Sequence, residues 1–177
     1  MMSAEDVEPD LKIRKIDNSE VNNVAELWHF TKKAAYPYLP LEQLRNLEED
    51  ELFFREQILS RCDVWAADDN GQIAGFLAIQ GPYVDRLYVL PDSQLRGIGS
   101  RLIQHAKELS PDGLRLHTHR KNIPAWKFYE KHGFLAVISE PVRRLKASPM
   151  SNSVGVRIRR VSGRRVLRMP LALRRST

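Results

Sequence analysis

Residues 83–109 run from a strand-like stretch, through Pro91, into Gln94-Leu95-Arg96-Gly97-Ile98-Gly99 and on without a break into a helical pattern. This junction constrains the fold more than any other part of the chain. Val84, Leu87, Val89 and Leu90 make the strand largely apolar, and Pro91 ends it by withdrawing a backbone donor. Ile98, Leu102, Ile103 and Ala106 then recur at helical spacing. Gly97 and Gly99 remove side chains where a backbone must come close to an anion. The unpaired amides of the helix's first turn point toward that anion, with the helix dipole behind them. Arg96 can add a charge-assisted hydrogen bond to a phosphate oxygen.

The letters exclude two familiar phosphate loops. A Walker loop needs Lys and then Ser or Thr after its second glycine, whereas Gly99 is followed by Ser100-Arg101. A dinucleotide fingerprint needs a third glycine where Leu102 stands. Coenzyme A, which also presents a pyrophosphate, remains compatible.

The flanking pattern supplies the rest of the architecture. Residues 11–16 alternate apolar and polar, as a half-buried strand does. Asp17, Asn18 and Ser19 offer capping oxygens ahead of Val21, Val24, Ala25, Leu27 and Trp28, the apolar stripe of a helix that Tyr36-Pro37-Tyr38-Leu39-Pro40 stops. A second helix is predicted over 41–59, with Leu44, Leu47, Leu52, Phe53, Ile58 and Leu59 as candidate core positions. Residues 63–67 and 72–80 read as a hairpin turned at Asp69-Asn70-Gly71, because Asn-Gly supplies the positive φ angles of a tight turn. Residues 114–118 form another strand. Asn122 caps a helix that carries Pro124 in its first turn, then Ala125, Trp126, Phe128 and Tyr129, and ends at His132-Gly133 before a strand over 134–139. Early strands joined by hairpins and late strands alternating with helices imply an α/β fold whose mixed sheet is antiparallel at first and parallel later.

A chain of 177 residues, 42% of them hydrophobic, holds one sizeable core, so one domain is expected over residues 11–140. Residues 1–10 read as an acidic, disordered lead-in without the apolar run of a signal peptide. With no stretch apolar enough to span a bilayer, a cytoplasmic location and no membrane partner are expected. Cys62, the single cysteine, excludes an intramolecular disulfide and a multi-cysteine zinc site. His117 and His119 share a strand face, but two histidines without a third ligand are a poor zinc site, and no metal is expected.

The net charge of +6 is unevenly spread. Residues 141–177 hold 11 Lys and Arg and no acid, which leaves 17 basic against 22 acidic residues, or −5, for the preceding 140. The body is mildly acidic, so a nucleic-acid partner is not expected of it. For the tail three readings stand together: a poorly ordered or atypical terminus, a phosphate-contacting arm, and the compositional break that a shifted reading frame produces. Val154, Val156, Ile158, Val166 and Leu167 also allow a hairpin through Ser162-Gly163.

Taken together, residues 83–134 resemble the cofactor-binding half of the GNAT acetyltransferases. The landmarks occur in order: Leu87-Tyr88-Val89, Gln94 through Gly99, the strand at 114–118, Asn122, Phe128-Tyr129 and Gly133-Phe134. The resemblance implies a GNAT-like sheet, splayed at the site of acetyl-CoA, the acetyl donor. It implies that Gln94, Leu95, Arg96, Gly97, Ile98, Gly99 and Ser100 hold the pyrophosphate, that the backbone of Leu87, Tyr88 and Val89 pairs with the pantetheine arm, and that Asn122 and Phe128 line that arm. One backbone N–H of the strand would also stabilise charge on the thioester oxygen. By the same resemblance Tyr129 protonates the departing thiolate; read alone, it is equally an amphipathic core residue.

The acceptor is expected to be a small amine or amino acid attacking directly. In this family the first two helices and their connection shape its site, so Tyr36 and Tyr38 are substrate-binding candidates. The attacking amine needs a base or a water path, and the sequence does not identify it: Asp85 is the first candidate, Glu26 and Glu49 lesser ones. A non-catalytic acyl-CoA sensor and a protein amino-terminal acetyltransferase are the alternatives, and a homodimer stays open.

Overall fold

The computed structural model describes residues 11–137 and 155–160. The chain order is β1 (Leu11–Lys15), α1 (Val21–Ala35), α2 (Pro40–Leu44), α3 (Leu47–Phe53), β2 (Asp63–Asp69), β3 (Gln72–Gln80), β4 (Tyr83–Val89), α4 (Ile98–Leu109), β5 (Arg115–His119), α5 (Ile123–Lys131), β6 (Phe134–Val137) and β7 (Gly155–Arg160). The strands form one sheet in the order β1-β2-β3-β4-β5-β7-β6. The first four are antiparallel neighbours, β4 and β5 are parallel, and β7 is antiparallel to both β5 and β6. β5 and β6 therefore run in the same direction without touching, because a strand from the basic tail lies between them.

The β2–β3 turn has the predicted chemistry: Asn70 and Gly71 take φ of 54° and 85°, the left-handed pair that a two-residue hairpin requires. The sheet carries a core on each face. On one face Ile98, Leu102, Ile103 and Ala106 of α4 and Trp126 and Tyr129 of α5 pack on Leu77, Ile79, Val84, Leu116 and Phe134. On the other, Val21, Val24, Ala25, Leu27 and Trp28 of α1 pack with Phe54 and Ile58 against Val64, Phe76 and Ala78. Cys62 lies in this second core, and burial, with the nearby Asp85 carboxylate, pushes its thiol up to about 11, away from reactivity.

The single helix predicted over 41–59 is instead three pieces: α2, α3 and a π-helical turn at Phe54–Leu59. Asn46 breaks it, capping α3 by accepting from the Glu49 amide at 2.8 Å while the Glu49 carboxylate accepts from the Asn46 amide. The break turns Leu44 and Leu52 outward, 80% and 56% exposed, although both had the spacing of core residues. Glu49, a lesser candidate base, is occupied in this cap, and Glu26 is exposed on α1. Residues 1–10, 138–139 and the Ser162-Gly163 turn lie outside the described residues.

Candidate active site

The site begins with an irregularity in β4. In the β3–β4 register Ile79 opposes Val84 and Ala78 opposes Arg86, so Asp85 is the extra residue of a bulge. The bulge flips the alternation, and Val84, Leu87 and Val89 all join the core beneath α4 and α5. It also bends β4 away from β5. Among the described residues those strands pair only at Tyr83↔Arg115 and Val84↔Leu116, and part where Asp85 begins. From Arg86 to Val89 the edge of β4 that faces β5 has no strand partner among the described residues.

At the end of this edge the chain turns sharply into α4. Leu95 has φ of 62° and is fully exposed, and Gly97, the residue before the helix, has φ of 85°. Alternating left-handed residues curl successive amides toward one side, and a non-glycine held there stores strain of the kind found at binding sites. The amides of Gly97, Ile98, Gly99 and Ser100 donate to no acceptor among the described residues. A Cβ at Gly99 would lie 3.2 Å from the Phe128 ring, so a side chain there requires the packing of α4 on α5 to give by a few tenths of an ångström.

The side chains of the loop have protein partners. Gln94 Nε2 donates to the Val89 carbonyl at 3.1 Å, bracing the end of β4. The Arg96 guanidinium pairs with Asp69 of the hairpin at 2.9 Å while staying half exposed. Ser100 Oγ lies 3.0 Å from His132 Nε2, and burial, with Lys107 and Lys131 nearby, holds His132 below its ordinary pKa. The first-turn amides of α4 are thus the loop groups left without a partner among the described residues.

α5 closes the other side of the gap. Asn122 Oδ1 accepts from the Ala125 amide at 3.2 Å as the helix cap, leaving its amide nitrogen available. Trp126 Nε1 donates to the His119 carbonyl at 3.1 Å, fixing α5 to the end of β5. Tyr129 is buried between Phe128 and Phe134. Burial raises its phenol well above the usual tyrosine range, and the Tyr36 and Tyr83 side chains add to the rise, so it stays protonated near neutrality.

Tyr36, Tyr38 and His119 form an aromatic wall. Tyr36 is buried edge-on to Tyr38 at 6.1 Å between ring centroids, and the His119 ring lies 5.1 Å from Tyr38. Burial, then the Tyr36 side chain, pushes the Tyr38 hydroxyl up to about 12. Lys121 Nζ rests over the Tyr38 ring. The Lys121 amide donates to His119 Nδ1 at 3.2 Å, so the neutral His119 ring carries its proton on Nε2. Burial and Lys121 lower the pKa of that ring. His117 Nδ1 is 3.2 Å from the Tyr83 hydroxyl. Asp85 is nearly buried, its carboxylate 3.1 Å from Arg86 Nη1, and the Arg86 guanidinium lies over the Trp28 ring. Arg86 and Trp28 went unremarked as site residues in the sequence. Their only signal was an Asp-Arg pair in an otherwise apolar strand.

A strand split from its neighbour beside bare helix-start amides suits a long ligand with a diphosphate at one end. The model of the acetyltransferase (GNAT) family matches residues 24–134. The chain belongs to that family. This GNAT protein is an acetyl-CoA-dependent N-acetyltransferase. Among its relatives, the peptidyl-lysine N-acetyltransferase YiaC of Escherichia coli is 29% identical over 69% of this chain and 82% of its own length. The peptidyl-lysine N-acetyltransferase YjaB of Salmonella typhimurium is 30% identical over 70% and 83%. The fold is shared with apo YjaB of Escherichia coli, with a TM-score of 0.65 and 23% identity over 84% of this chain and 95% of that one. It is shared also with the PaiA N-acetyltransferase of Thermoplasma acidophilum solved with coenzyme A, with a TM-score of 0.62 and 20% identity over 85% and 98%. No helix among the described residues of the GNAT chain is long and apolar enough to cross a membrane.

Proposed function

We propose that this enzyme acetylates the ε-amine of a lysine side chain by direct attack on acetyl-CoA. The observation that carries the reading is the juxtaposition of unpartnered amides at the start of α4 with the unpaired edge of β4. Acetyl-CoA supplies the acetyl group as a thioester. The amides of Gly97 through Ser100 hold its pyrophosphate, with Leu95 shaping the turn and Arg96 swinging from Asp69 toward it. The edge of Leu87, Tyr88 and Val89 pairs with the pantetheine arm, and an N–H of that edge polarises the thioester carbonyl. Gln94 braces this edge, and Asn122 and Phe128 line the opposite side of the arm.

The lysine reacts as the free amine, its ammonium proton having passed to solvent. Tyr129 donates its phenolic proton to the sulfur as the C–S bond breaks and the C–N bond forms, and the proton then lost from the acetylated nitrogen restores it. Burial keeps the phenolic proton in place near neutrality. Asp85 lies 3.1 Å from Arg86 Nη1 and orients that guanidinium. Two features favour lysine over the smaller amines expected from the loop alone. Tyr36, Tyr38 and His119 form a ring-lined wall that accepts a four-carbon stem and its ammonium, and relatives carry peptidyl-lysine in their names. Residues 11–140 together with β7 make up the catalytic domain.

The test is thiol release from acetyl-CoA with lysine peptides, free amino acids and polyamines, with Tyr129→Phe as control. Lysine peptides should turn over fastest. Faster turnover of a free amino acid or polyamine would move the acceptor to that class. Tight binding of coenzyme A with no turnover of any amine would replace catalysis by sensing.

A further inference from the structure

The second core, on the α1 side of the sheet, contains a cluster of charges that the chemistry above does not use. Asp50, fully buried at the end of the first turn of α3, receives both Lys32 (2.8 Å to each carboxylate oxygen) and Arg45 Nε (2.6 Å), and His29 Nδ1 lies 2.7 Å away. Lys32 Nζ also pairs with Glu42 at 2.8 Å and lies 4.4 Å from the centre of the Trp28 ring. Burial alone would raise the Asp50 carboxyl, but the hydrogen bonds from Lys32, Arg45 and His29 outweigh it and hold it ionised.

Buried ion pairs contribute little net stability against apolar packing of the same volume, so a cluster of this size invites a second explanation. Its geometry supplies one. Lys32 and Glu42 stand at the two ends of the segment that carries Tyr36 and Tyr38, and their ion pair closes it into a loop. Inside the loop the Tyr36 amide donates to the Lys32 carbonyl, the Leu39 amide donates to the Tyr36 carbonyl, and Gln43 Nε2 donates to the carbonyls of Lys33 and Tyr36. The Trp28 ring that carries Lys32 also carries Arg86 of the β4 bulge, 5.7 Å from the ring centre. The clasp is thereby tied to the point where β4 leaves β5.

We infer that Lys32 and Glu42, anchored by Asp50, are positioning residues that hold the Tyr36–Tyr38 wall at the spacing the acceptor requires. The inference rests on the acceptor side proposed above. Its test is Glu42→Gln, which keeps the volume and removes the charge. In full-length enzyme saturated with acetyl-CoA, the acceptor KM should rise about tenfold, since small displacements of a positioning wall are costly. The KM for acetyl-CoA should stay where it is. Gln43→Ala, an exposed change that spares the buried cluster, should raise the acceptor KM about threefold, the scale of a lost neutral hydrogen bond. Amide hydrogen exchange, which needs no acceptor, should speed up at Tyr36 and Leu39 in both variants while α4 and α5 keep their protection.

An unchanged acceptor KM in active Glu42→Gln enzyme with unchanged exchange in the loop overturns the inference. So does a parallel loss in both substrates with faster exchange throughout, which is what a merely structural cluster would give. If no lysine acceptor reacts with the unaltered enzyme, the acceptor assignment fails, and the exchange at Tyr36 and Leu39 alone decides whether the clasp holds the loop.

Discussion

The two faces of the sheet solve different problems. Beneath α4 and α5 the core is made of Leu77, Ile79, Val84, Leu102, Ile103, Leu116 and Phe134, all apolar, with Tyr129 and Trp126 as its polar-tipped members. Beneath α1 and α3 the core includes buried His29, Lys32, Glu42 and Asp50. The first face lies under the start of α4, whose amides have no acceptor among the described residues, and its side chains mostly fill space. The second lies under a site built from rings and charges, and those need partners to hold them in place. A backbone site is stabilised by the fold itself, whereas a side-chain site needs a framework of its own.

The largest effect that could break this contrast is a cavity in the apolar face. Leu102→Ala, at a fully buried position, should lower stability by about 3 kcal/mol, measured by urea unfolding. A loss much below that would mean the face is loosely packed and the contrast overstated. Next in size is chemistry: Tyr129→Phe should lower kcat by about 100-fold, with little change in the acetyl-CoA KM. Unchanged turnover would return Tyr129 to the core and leave the phenolic proton without a role.

A smaller effect sharpens the claim that the donor site is backbone-built. Gly97→Ala forces a side chain into the φ of 85°, and the strain of about 1 kcal/mol should weaken coenzyme A binding by about fivefold, read by calorimetry. Arg96→Gln should weaken it less and make it less sensitive to salt. If Arg96 proves the more important of the two, the guanidinium rather than the loop's amides dominates.

The gentlest test is pH. His105, His119 and His132 have pKa values lowered from 6.5, by burial in each case. Folding therefore favours their neutral forms, the unfolded chain binds more protons below about pH 6.5, and stability should fall as the pH drops through that range. Protonated His119 would also place a cation against Tyr38, so acceptor kcat/KM should decline over the same interval, and His119→Gln should flatten that decline. Glu20, held at about 2 by Arg14 and the Asp17 amide, contributes stability that is lost only at far lower pH.

How far these regions were legible beforehand follows the same division. The hairpin at Asn70-Gly71, α4 with its apolar stripe, the cap at Asn122 and the Tyr129 helix could all be read from neighbouring letters, because turns, caps and helix faces are local. Gly97 takes a positive φ and Gly99 lies close against Phe128, two reasons for glycine that stand beside the room an anion needs. The two positions look alike in the sequence because both reasons favour the same residue. The helix over 41–59 was drawn too long because an Asn-capped break is invisible to apolar spacing, and Leu44 and Leu52 went outward with it.

The sequence by itself determined the Asn70-Gly71 hairpin, the strand-to-helix turn before α4 and the Asn122 cap, since each depends on backbone preferences over a few adjacent residues. Only the tertiary structure decided that Asp85 would be a bulge, that β7 would lie between β5 and β6, and that Lys32, Glu42 and Asp50 would meet beneath the tyrosine wall. The physical reason is range. A capped turn is settled by its own dihedral angles, whereas a buried charge is tolerated only once residues distant in the chain have come together to surround it.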